Sequence, residues 1–387
     1  MNNKYIHPDW SNSILNVSST LASFLGVDNG KPRIQVLEKE LQKNYRNVVF
    51  LIFDGLGVNV LENHLIEDDF LLKHNKQSIT SVFPCTTTAA TRTLMSATPP
   101  AEHGWFGWCI YFKKHSRAIE LFSGKDFYTN EQVIESNFAT KLFPVNAFYL
   151  DPNVRKDITI HTCFPKFVDV GHAKQNHTVN DLSELFPQIK SICERDGKKF
   201  IYSYMSEPDS AMHRCGVSSN EAKTIVQNIN NGLEELSKQC PDTLFIVTAD
   251  HGHIDIADSI EIYNDKELTE CLEEPISLET RFACFKIKNG MKTKFKKLFK
   301  KYSADFELFR TSDLIAKCVF GEFKDITYKK YLGDYIAIGK ETNKMISFFD
   351  GMNENRGKYV FKGCHTGMTK DEMLVPLVVF GNKEDGK

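Results

Sequence analysis

The sequence predicts an α/β fold with a mostly parallel central sheet flanked by helices. Two observations predict it: apolar runs of strand length recur along the chain, and a segment with helical periodicity lies between two of them. The 387 residues, 41% of them hydrophobic, are enough for two or three structural units. With 48 Lys and Arg against 50 Asp and Glu, the charge balance argues against a disordered polyelectrolyte and against a generally basic nucleic-acid-binding protein.

Four apolar runs are the candidate strands of this sheet, namely residues 47–53, 199–204, 243–248 and 374–380. Unbroken apolar runs are typical of strands that are covered on both faces. The last run contains Pro376, which weakens the prediction of an interior strand because proline cannot donate a ladder hydrogen bond. Parallel strands place functional loops at their carboxyl ends, so we expect the site at that edge of the sheet.

A helix is predicted between the second and third runs. Apolar residues from Ala222 to Leu236 fall at helical spacing, and Ser218 to Glu221 has the pattern of a capping box. These segments form one strand-helix-strand unit of the predicted sheet.

Residues 256–345 differ from the rest, because they are richer in Lys, Phe and Tyr and lack a long apolar run. We interpret this segment as an inserted α+β cap, which divides the core domain into residues 1–255 and 346–387. Within the cap, an apolar stripe from Met291 to Phe299 on a Lys-rich helix predicts a solvated helix packed on one side.

The sequence shows no secretory signal pattern and no run of about 18 or more apolar residues. We therefore expect a cytoplasmic protein without a membrane partner. The ten cysteines are scattered singly with no C-x-x-C pair, so we expect mostly buried, reduced thiols.

Acidic and histidine residues cluster near the predicted strand ends. They are Asp54, Asp209, His213, Asp250, His251 and His365. Any one alone could cap a turn or form an ordinary hydrogen bond, but burying all of them at one edge would be costly without cations. Carboxylate and imidazole groups suit zinc, and six groups are too many for one tetrahedral catalytic ion. The set therefore predicts two metal ions.

A nucleophile is expected in the threonine-rich segment 83–97, where a polar turn runs into a stretch that can form a helix. Free N–H groups at a helix start favour a phosphate or oxyanion, and a bound metal can activate a hydroxyl there. A plain Ser/Thr N-cap is the alternative interpretation.

Short motifs occur in a fixed order along the chain: D-G at 54–55, F-P-x-T-T from 83, P-A-E-H-G from 100, E-P-D-S-x-x-H at 207–213, A-D-H-G at 249–252 and C-H-T-G at 364–367. In order and spacing they resemble the alkaline phosphatase superfamily, and most closely its nucleotide pyrophosphatase/phosphodiesterase branch. The resemblance covers residues 48–381 and implies an alkaline-phosphatase-like fold.

The resemblance also implies the roles of the site residues. It assigns Asp54, Asp250 and His251 to one ion, together with the nucleophilic threonine. It assigns Asp209, His213 and His365 to the other. The nucleophile falls on Thr87, with Thr86 and Thr88 as the neighbouring alternatives. The implied cofactors are two divalent ions, zinc by preference and manganese as the alternative, and the implied reaction proceeds through a phospho-threonine intermediate.

The sequence departs from the family pattern where many members place a phosphate-binding asparagine, because that position is Ala90. The backbone N–H of Thr88, or the side chains of Thr91 or Thr93, could compensate. Trp105 and Trp108 could contact the substrate or could equally belong to the core. We expect Thr88, Trp105 and Trp108 to be the substrate-binding residues.

Several other residues receive expectations from the resemblance. His103 and Gly104 are expected to be structural members of their motif. His253 is expected to lie behind the metal ligands or on the surface.

The expected partner is a small phosphoester, with a nucleotide as one candidate, and no stable nucleic-acid partner is expected. Phosphomonoester or phosphonate hydrolysis is the closest alternative activity, because the same ligands serve those reactions in the superfamily. A non-catalytic metal-binding relative is the alternative of a different class. A sulfatase is disfavoured, because Cys85 is not followed by the C-x-P-x-R pattern.

Overall fold

The computed structural model describes residues 5–168, 170–349 and 361–383. Its main sheet has seven strands in the spatial order β2 (Asn75–Thr80), β17 (Leu374–Asn382), β8 (Thr243–Thr248), β1 (Asn47–Phe53), β7 (Lys198–Met205), β5 (Ile158–Phe164) and β6 (Gln175–Thr178). The five strands from β8 to β6 run parallel, and β17 is antiparallel to both of its neighbours. This confirms the predicted α/β class with a mostly parallel sheet.

Helices lie between the strands of both sheets. In the first 240 residues the described helices are α1 (Ile14–Phe24), α2 (Gln35–Leu41), α3 (Val58–His64), α4 (Phe70–His74), α5 (Thr87–Ser96), α6 (Pro100–His103), α7 (Phe138–Leu142), α8 (Leu182–Glu194), α9 (Asp209–Cys215) and α10 (Asn220–Gln239). After them come α11 (Lys266–Thr269), α12 (Lys292–Phe299), α13 (Thr311–Ala316) and α14 (Lys370–Met373), of which α11 and α12 pack with the second sheet.

A second sheet has six strands in the order β13 (Phe306–Arg310), β14 (Tyr335–Gly339), β12 (Phe282–Phe285), β11 (Ser277–Glu279), β3 (Cys109–Phe112) and β4 (Arg117–Glu120). Two small pairs join β10 (Asp258–Glu261) to β15 (Lys344–Ser347) and β16 (Gly363–Cys364) to β9 (Ile254–Asp255). The segment proposed as a cap, 256–345, supplies β11 to β14, and residues 109–120 supply β3 and β4.

The centre of the main sheet follows from its apolar sequence. Every residue of β1 is buried, and β1 pairs in register with β7 on one side and β8 on the other. Branched and aromatic side chains on both faces pack against the flanking helices, which is the arrangement that a doubly covered parallel strand requires. The carboxyl ends of these three neighbouring strands consequently meet at one edge.

Pro376 lies in an interior strand after all. It pairs only with Ser78 of β2, whereas the ladder between β17 and β8 begins two residues later, at Val378. The missing N–H therefore interrupts no pairing with β8, and the Pro376 carbonyl accepts a hydrogen bond from the Thr248 hydroxyl at 2.7 Å. The expectation that Pro376 weakens an interior strand is therefore wrong here.

The predicted capping box of α10 is wrong by one residue. The N-cap is Ser219, whose hydroxyl accepts from the Ala222 N–H at 3.1 Å. The Ser218 hydroxyl instead donates to Asp255, and Glu221 accepts a charged hydrogen bond from Arg214. The Ser218 and Glu221 side chains therefore bind Asp255 and Arg214 instead of the free N–H groups at the start of α10.

The ten cysteines are all free thiols, and eight of them are buried, as expected. In α12, Phe295 and Phe299 are buried while Met291 is exposed at its start, so the helix packs on one side as predicted. Within the described ranges, no helix has both the length and the apolar character to cross a membrane.

Candidate active site

Three aspartates lie at the carboxyl edge of the central strands. Asp54 directly follows β1, Asp250 follows β8 by two residues, and Asp209 begins α9 shortly after β7. All three are buried, with at most 8% of any one exposed. Because β8, β1 and β7 are parallel neighbours, the fold brings these carboxylates together as the sequence predicted.

The histidines at this edge are oriented by backbone carbonyls. Nδ1 of His213 lies 2.8 Å from the Gly363 oxygen, Nδ1 of His251 lies 3.0 Å from the Gly252 oxygen, and Nδ1 of His365 lies 3.1 Å from the Cys85 oxygen. A carbonyl oxygen can only accept, so each Nδ1 carries the proton. Each Nε2 is then left with a lone pair that can bind a metal, which is the usual tautomer of a ligating histidine.

One group of ligand atoms centres on Asp209. Its Oδ2 lies 3.4 Å from Nε2 of His213, and its Oδ1 lies 3.2 Å from Nε2 of His253 and 3.7 Å from Nε2 of His365. The four residues offer ligand atoms that all lie within 4.8 Å of one another, which is compact enough to hold one ion.

A second group adjoins it and consists of Asp54, Asp209 and His251, again with ligand atoms within 4.8 Å. Oδ1 of Asp54 lies 3.3 Å from Nε2 of His251. Asp250 contributes on the same side: its Oδ2 lies 3.4 Å from that nitrogen, while its Oδ1 accepts from the N–H groups of Gly55 and His251. Asp209 thus stands between two candidate ion positions.

Buried polar atoms without partners show that this site fits cations. Among the described residues, Oδ1 of Asp54, Oδ1 of Asp209, Oδ2 of Asp250 and Nε2 of His253 are buried and accept or donate no hydrogen bond. Such atoms are rare in native proteins and need a compensating group. Burial raises the pKa of Asp54 well above its usual range, and the charges of Asp250 and Asp209 raise it further. Divalent ions would satisfy all four atoms.

His253 is a residue whose role the sequence reasoning underestimated. Its side chain is fully buried and belongs to the Asp209 group, so the surface alternative is wrong. The available signal was its position two residues after His251, on the same loop at the end of β8. Tyr204 was missed as well, although it lies at the end of β7, where its hydroxyl donates to Oδ2 of Asp54.

The threonine cluster at residues 86–88 presents one hydroxyl to this site. Thr87 is the first residue of α5, and its Oγ1 lies 3.3 Å from Nε2 of His251. Thr86 is the N-cap residue, but its hydroxyl makes no capping bond and donates to Glu279 at 2.6 Å. Thr88 is fully buried, and its hydroxyl has no partner among the described residues. The geometry therefore favours Thr87 over its two neighbours.

Two cavities open onto this centre, one of about 320 Å³ and one of about 580 Å³. Thr87, Asp209 and Trp108 line both of them. Neither lining includes Thr88 or Trp105. Trp105 is only 1% exposed and donates from its indole nitrogen to the Phe143 carbonyl at 3.0 Å, so the structure places it in the core.

Three side chains near Ala90 are candidates to replace the asparagine that many family members have at this position. The Thr91 hydroxyl donates to the Thr87 carbonyl at 2.5 Å, and the Thr93 hydroxyl lies 3.1 Å from Nε2 of His103, so both are engaged elsewhere. Arg92 lines the larger cavity with its guanidinium over the Trp105 ring, 4.4 Å from the ring centroid. It is a cation that the sequence reasoning did not single out.

Together, the fold and the geometry of the site define an α/β protein whose buried carboxylates, imidazoles and one threonine hydroxyl are grouped as in a metal centre. A family model described as type I phosphodiesterase / nucleotide pyrophosphatase matches residues 48–331. The chain belongs to this family and is therefore a metal-dependent hydrolase of phosphoric esters. A search by sequence against curated proteins finds no significant match.

Solved structures share the fold at low sequence identity. Murine ectonucleotide pyrophosphatase/phosphodiesterase 5, an inactive variant in complex with AMP, is 15% identical with a TM-score of 0.58, over 86% of this chain and 87% of that chain. Phosphonoacetate hydrolase from Sinorhizobium meliloti 1021, in complex with phosphonoformate, is 14% identical with a TM-score of 0.60, over 89% and 92%. The human ectonucleotide pyrophosphatase/phosphodiesterase 5 is 15% identical with a TM-score of 0.56, over 88% and 91%.

Proposed function

We propose that this hydrolase is a nucleotide-type phosphodiesterase or pyrophosphatase that acts through a phospho-threonine intermediate on Thr87. The observation that carries the proposal is the Thr87 hydroxyl, which lies at the start of α5 and 3.3 Å from Nε2 of His251. It is the hydroxyl of the threonine cluster that adjoins the buried carboxylates and imidazoles.

The residues at the site form two sets of ligands, one for each of two ions. Asp54, Asp250 and His251 would hold one, and Asp209, His213 and His365 the other, with His253 as an additional candidate ligand on the Asp209 side. Zinc fits this set of carboxylate oxygens and imidazole nitrogens, and manganese is the alternative. Two such ions, when bound, stabilise the attacking and the leaving oxygen of a displacement at phosphorus and lower the pKa of the hydroxyl.

The chain's own groups then account for a two-step displacement. The Thr87 hydroxyl releases its proton to solvent, and its oxygen attacks phosphorus in line as the bond to the leaving oxygen breaks. The phosphoryl group moves to Thr87 with its remaining ester substituent, and the other substituent departs with the leaving oxygen. Water next attacks the same phosphorus, breaks the bond to the Thr87 oxygen and restores the hydroxyl. Among the described residues, no acceptor pairs with the N–H groups of Thr87 and Thr88, so these groups can donate to a developing negative charge at the start of α5.

Hydrolysis of two chromogenic esters tests this proposal. We expect zinc-reconstituted protein to hydrolyse p-nitrophenyl thymidine 5′-phosphate at least about tenfold faster, as kcat/KM, than p-nitrophenyl phosphate, because the two cavities at the site can each take one substituent of a diester. Chelator-treated protein is the control and should be inactive until metal is restored. A preference for the monoester would instead favour a phosphatase, and turnover of neither would shift the assignment to phosphonate hydrolysis or a non-catalytic role.

A further inference from the structure

The N-cap residue of the helix that begins with Thr87 does not cap that helix. Thr86 has the extended backbone of an ordinary N-cap, and a threonine there usually accepts from the N–H of the second or third helical residue. Its hydroxyl instead donates to Oε1 of Glu279 at 2.6 Å. Among the described residues, the N–H groups of Thr87 and Thr88 have no acceptor. The start of α5 is therefore uncapped although a capping residue is in place.

Glu279 reaches the start of α5 from the second sheet. It is the half-buried last residue of β11, and its Oε1 accepts from the Thr86 hydroxyl and from the Trp108 backbone N–H, each at 2.6 Å. No described residue donates to its Oε2. One carboxylate oxygen thus joins three segments of the chain, namely the start of α5, the loop before β3 and the end of β11.

The backbone beside Glu279 has an unusual conformation. Leu278 is fully buried and has a φ of 78°, which is uncommon and strained for a bulky side chain. A Cβ atom on Gly107 would lie 3.1 Å from Cα of Leu278 and 3.3 Å from Cγ of Glu279, so glycine is what lets this loop approach so closely. Such strain persists only where the surrounding structure requires it, and here it accompanies the placement of Glu279 against Thr86.

A Thr86 hydroxyl that turned back to cap α5 would accept from the Thr88 N–H, which is one of the two free donors at the helix start. The loss would matter for a reaction at Thr87, because Ala90 supplies no side-chain donor in place of the family asparagine. Removal of one preorganised donor to a developing oxyanion typically lowers kcat by about 10²–10³-fold.

We infer that Glu279 is a positioning residue of this reaction, which keeps the Thr88 N–H free for the phosphate by holding the Thr86 hydroxyl away from α5. The inference rests on the proposed function, because a phosphate at Thr87 is the group that the free N–H would bind. It gives Glu279 no contact with the substrate. Since the residue acts by accepting a hydrogen bond, an acceptor oxygen is required at this position and a negative charge is not.

Two substitutions of Glu279 separate the acceptor from the charge. Glu279→Gln keeps an acceptor oxygen, and its amide nitrogen would replace an oxygen to which no described residue donates. Its kcat/KM for p-nitrophenyl thymidine 5′-phosphate should stay within about threefold of wild type. Glu279→Leu leaves Thr86 able to cap the helix, and we expect a loss of about 10²-fold, mainly in kcat, because the donor acts on charge that develops in the transition state. Glu273→Leu removes an exposed carboxylate of the same segment and should leave both constants unchanged.

A second substitution should rescue the damaged variant. Thr86→Val has nearly the shape of threonine but no hydroxyl that could cap, so alone it should retain kcat/KM within about threefold. Combined with Glu279→Leu, it should restore kcat/KM by at least about tenfold, because no side chain then accepts from the Thr88 N–H. The Trp108 N–H lacks its acceptor in both Glu279→Leu proteins, so the recovery reports on Thr86 alone.

Three outcomes would overturn the inference. They are wild-type activity of Glu279→Leu, a double variant no more active than Glu279→Leu, and a Glu279→Gln protein as impaired as Glu279→Leu. Because Glu279→Gln preserves the shape of the side chain, the third comparison with wild type stands even where Glu279→Leu accumulates poorly.

Binding of inorganic phosphate to the zinc-loaded proteins makes the same comparison without turnover. By titration calorimetry we expect Glu279→Leu to weaken binding at least about tenfold and Thr86→Val to restore it in the double variant. This pattern in a protein that hydrolyses neither p-nitrophenyl ester would retain the role of Glu279 and refute the proposed reaction. Diester hydrolysis and phosphate binding that are both insensitive to Glu279→Leu would refute the role of Glu279 alone.

Discussion

Thr87→Ala is expected to lower turnover of the preferred ester by at least about 10⁴-fold, because the substitution removes the oxygen that forms the covalent intermediate. Metal content, measured on the same sample by mass spectrometry, should stay near the wild-type value, since the carboxylates and imidazoles remain. Thr87→Ser keeps a hydroxyl at the start of α5 and is expected to retain measurable activity.

Its neighbours provide matched controls for this result. Thr86 donates its hydroxyl to Glu279, and Thr88 is buried away from both cavities, so alanine at either position should cost far less than at Thr87. Near-normal turnover by Thr87→Ala, combined with inactivity of Thr86→Ala or Thr88→Ala, would show that the nucleophile is misassigned.

Glu372→Gln is expected to destabilise the protein by about 3–5 kcal/mol, because it leaves the Arg281 guanidinium buried without a counter-charge. Both side chains have 0% exposure, and Nε and Nη2 of Arg281 donate to the two Glu372 oxygens at 2.7 and 3.1 Å. Burial would raise the pKa of Glu372, but Arg281 beside it holds this pKa below the usual range. Urea unfolding monitored by circular dichroism measures the loss.

This ion pair connects the second sheet to the loop that carries His365. Arg281 lies next to β12 and also donates to the carbonyls of Thr342, Lys344 and Lys340, while Glu372 accepts from the Gly367 N–H at 2.7 Å. We therefore expect weaker metal binding in the same variant. Glu234→Gln breaks the exposed pair with Lys238 on α10 and should leave the unfolding midpoint almost unchanged, because solvent screens this pair. A similar small effect at Glu372 would contradict this account.

The central strands could be predicted from sequence because their signal is local. Residues 47–53 and 243–248 form β1 and β8 with the predicted bounds, since a largely apolar run of this length admits few alternatives to a covered strand. The location of Asp54, Asp209 and Asp250 at one edge could also be predicted, because functional loops lie at the carboxyl ends of parallel strands. The assignments of Thr87 and of the two sets of three ligands came from the family resemblance, because spacing alone does not identify which threonine faces the site.

What the sequence did not reveal depends on contacts between distant segments. β3 and β4 join the second sheet through the pairing of Cys109 with Leu278, about 170 positions apart in the chain, and no local pattern predicts that. The hydrogen bond from Thr86 to Glu279 likewise arises only when the start of α5 and the end of β11 meet near Thr87. The exposure of a tryptophan is similarly nonlocal, which is why Trp105 and Trp108 could not be distinguished in advance although the structure buries one and leaves the other 38% exposed.

The most direct test of the central claim is to trap the intermediate. Zinc-loaded protein would be quenched in acid during turnover of p-nitrophenyl thymidine 5′-phosphate, and the tryptic peptide 77–92 would be sequenced by mass spectrometry. The account predicts a thymidylyl group on Thr87, absent from Thr87→Ala. A modification on another residue would contradict it. So would turnover with no covalent adduct together with inversion at phosphorus, measured on the P-chiral phosphorothioate analogue in ¹⁸O-labelled water.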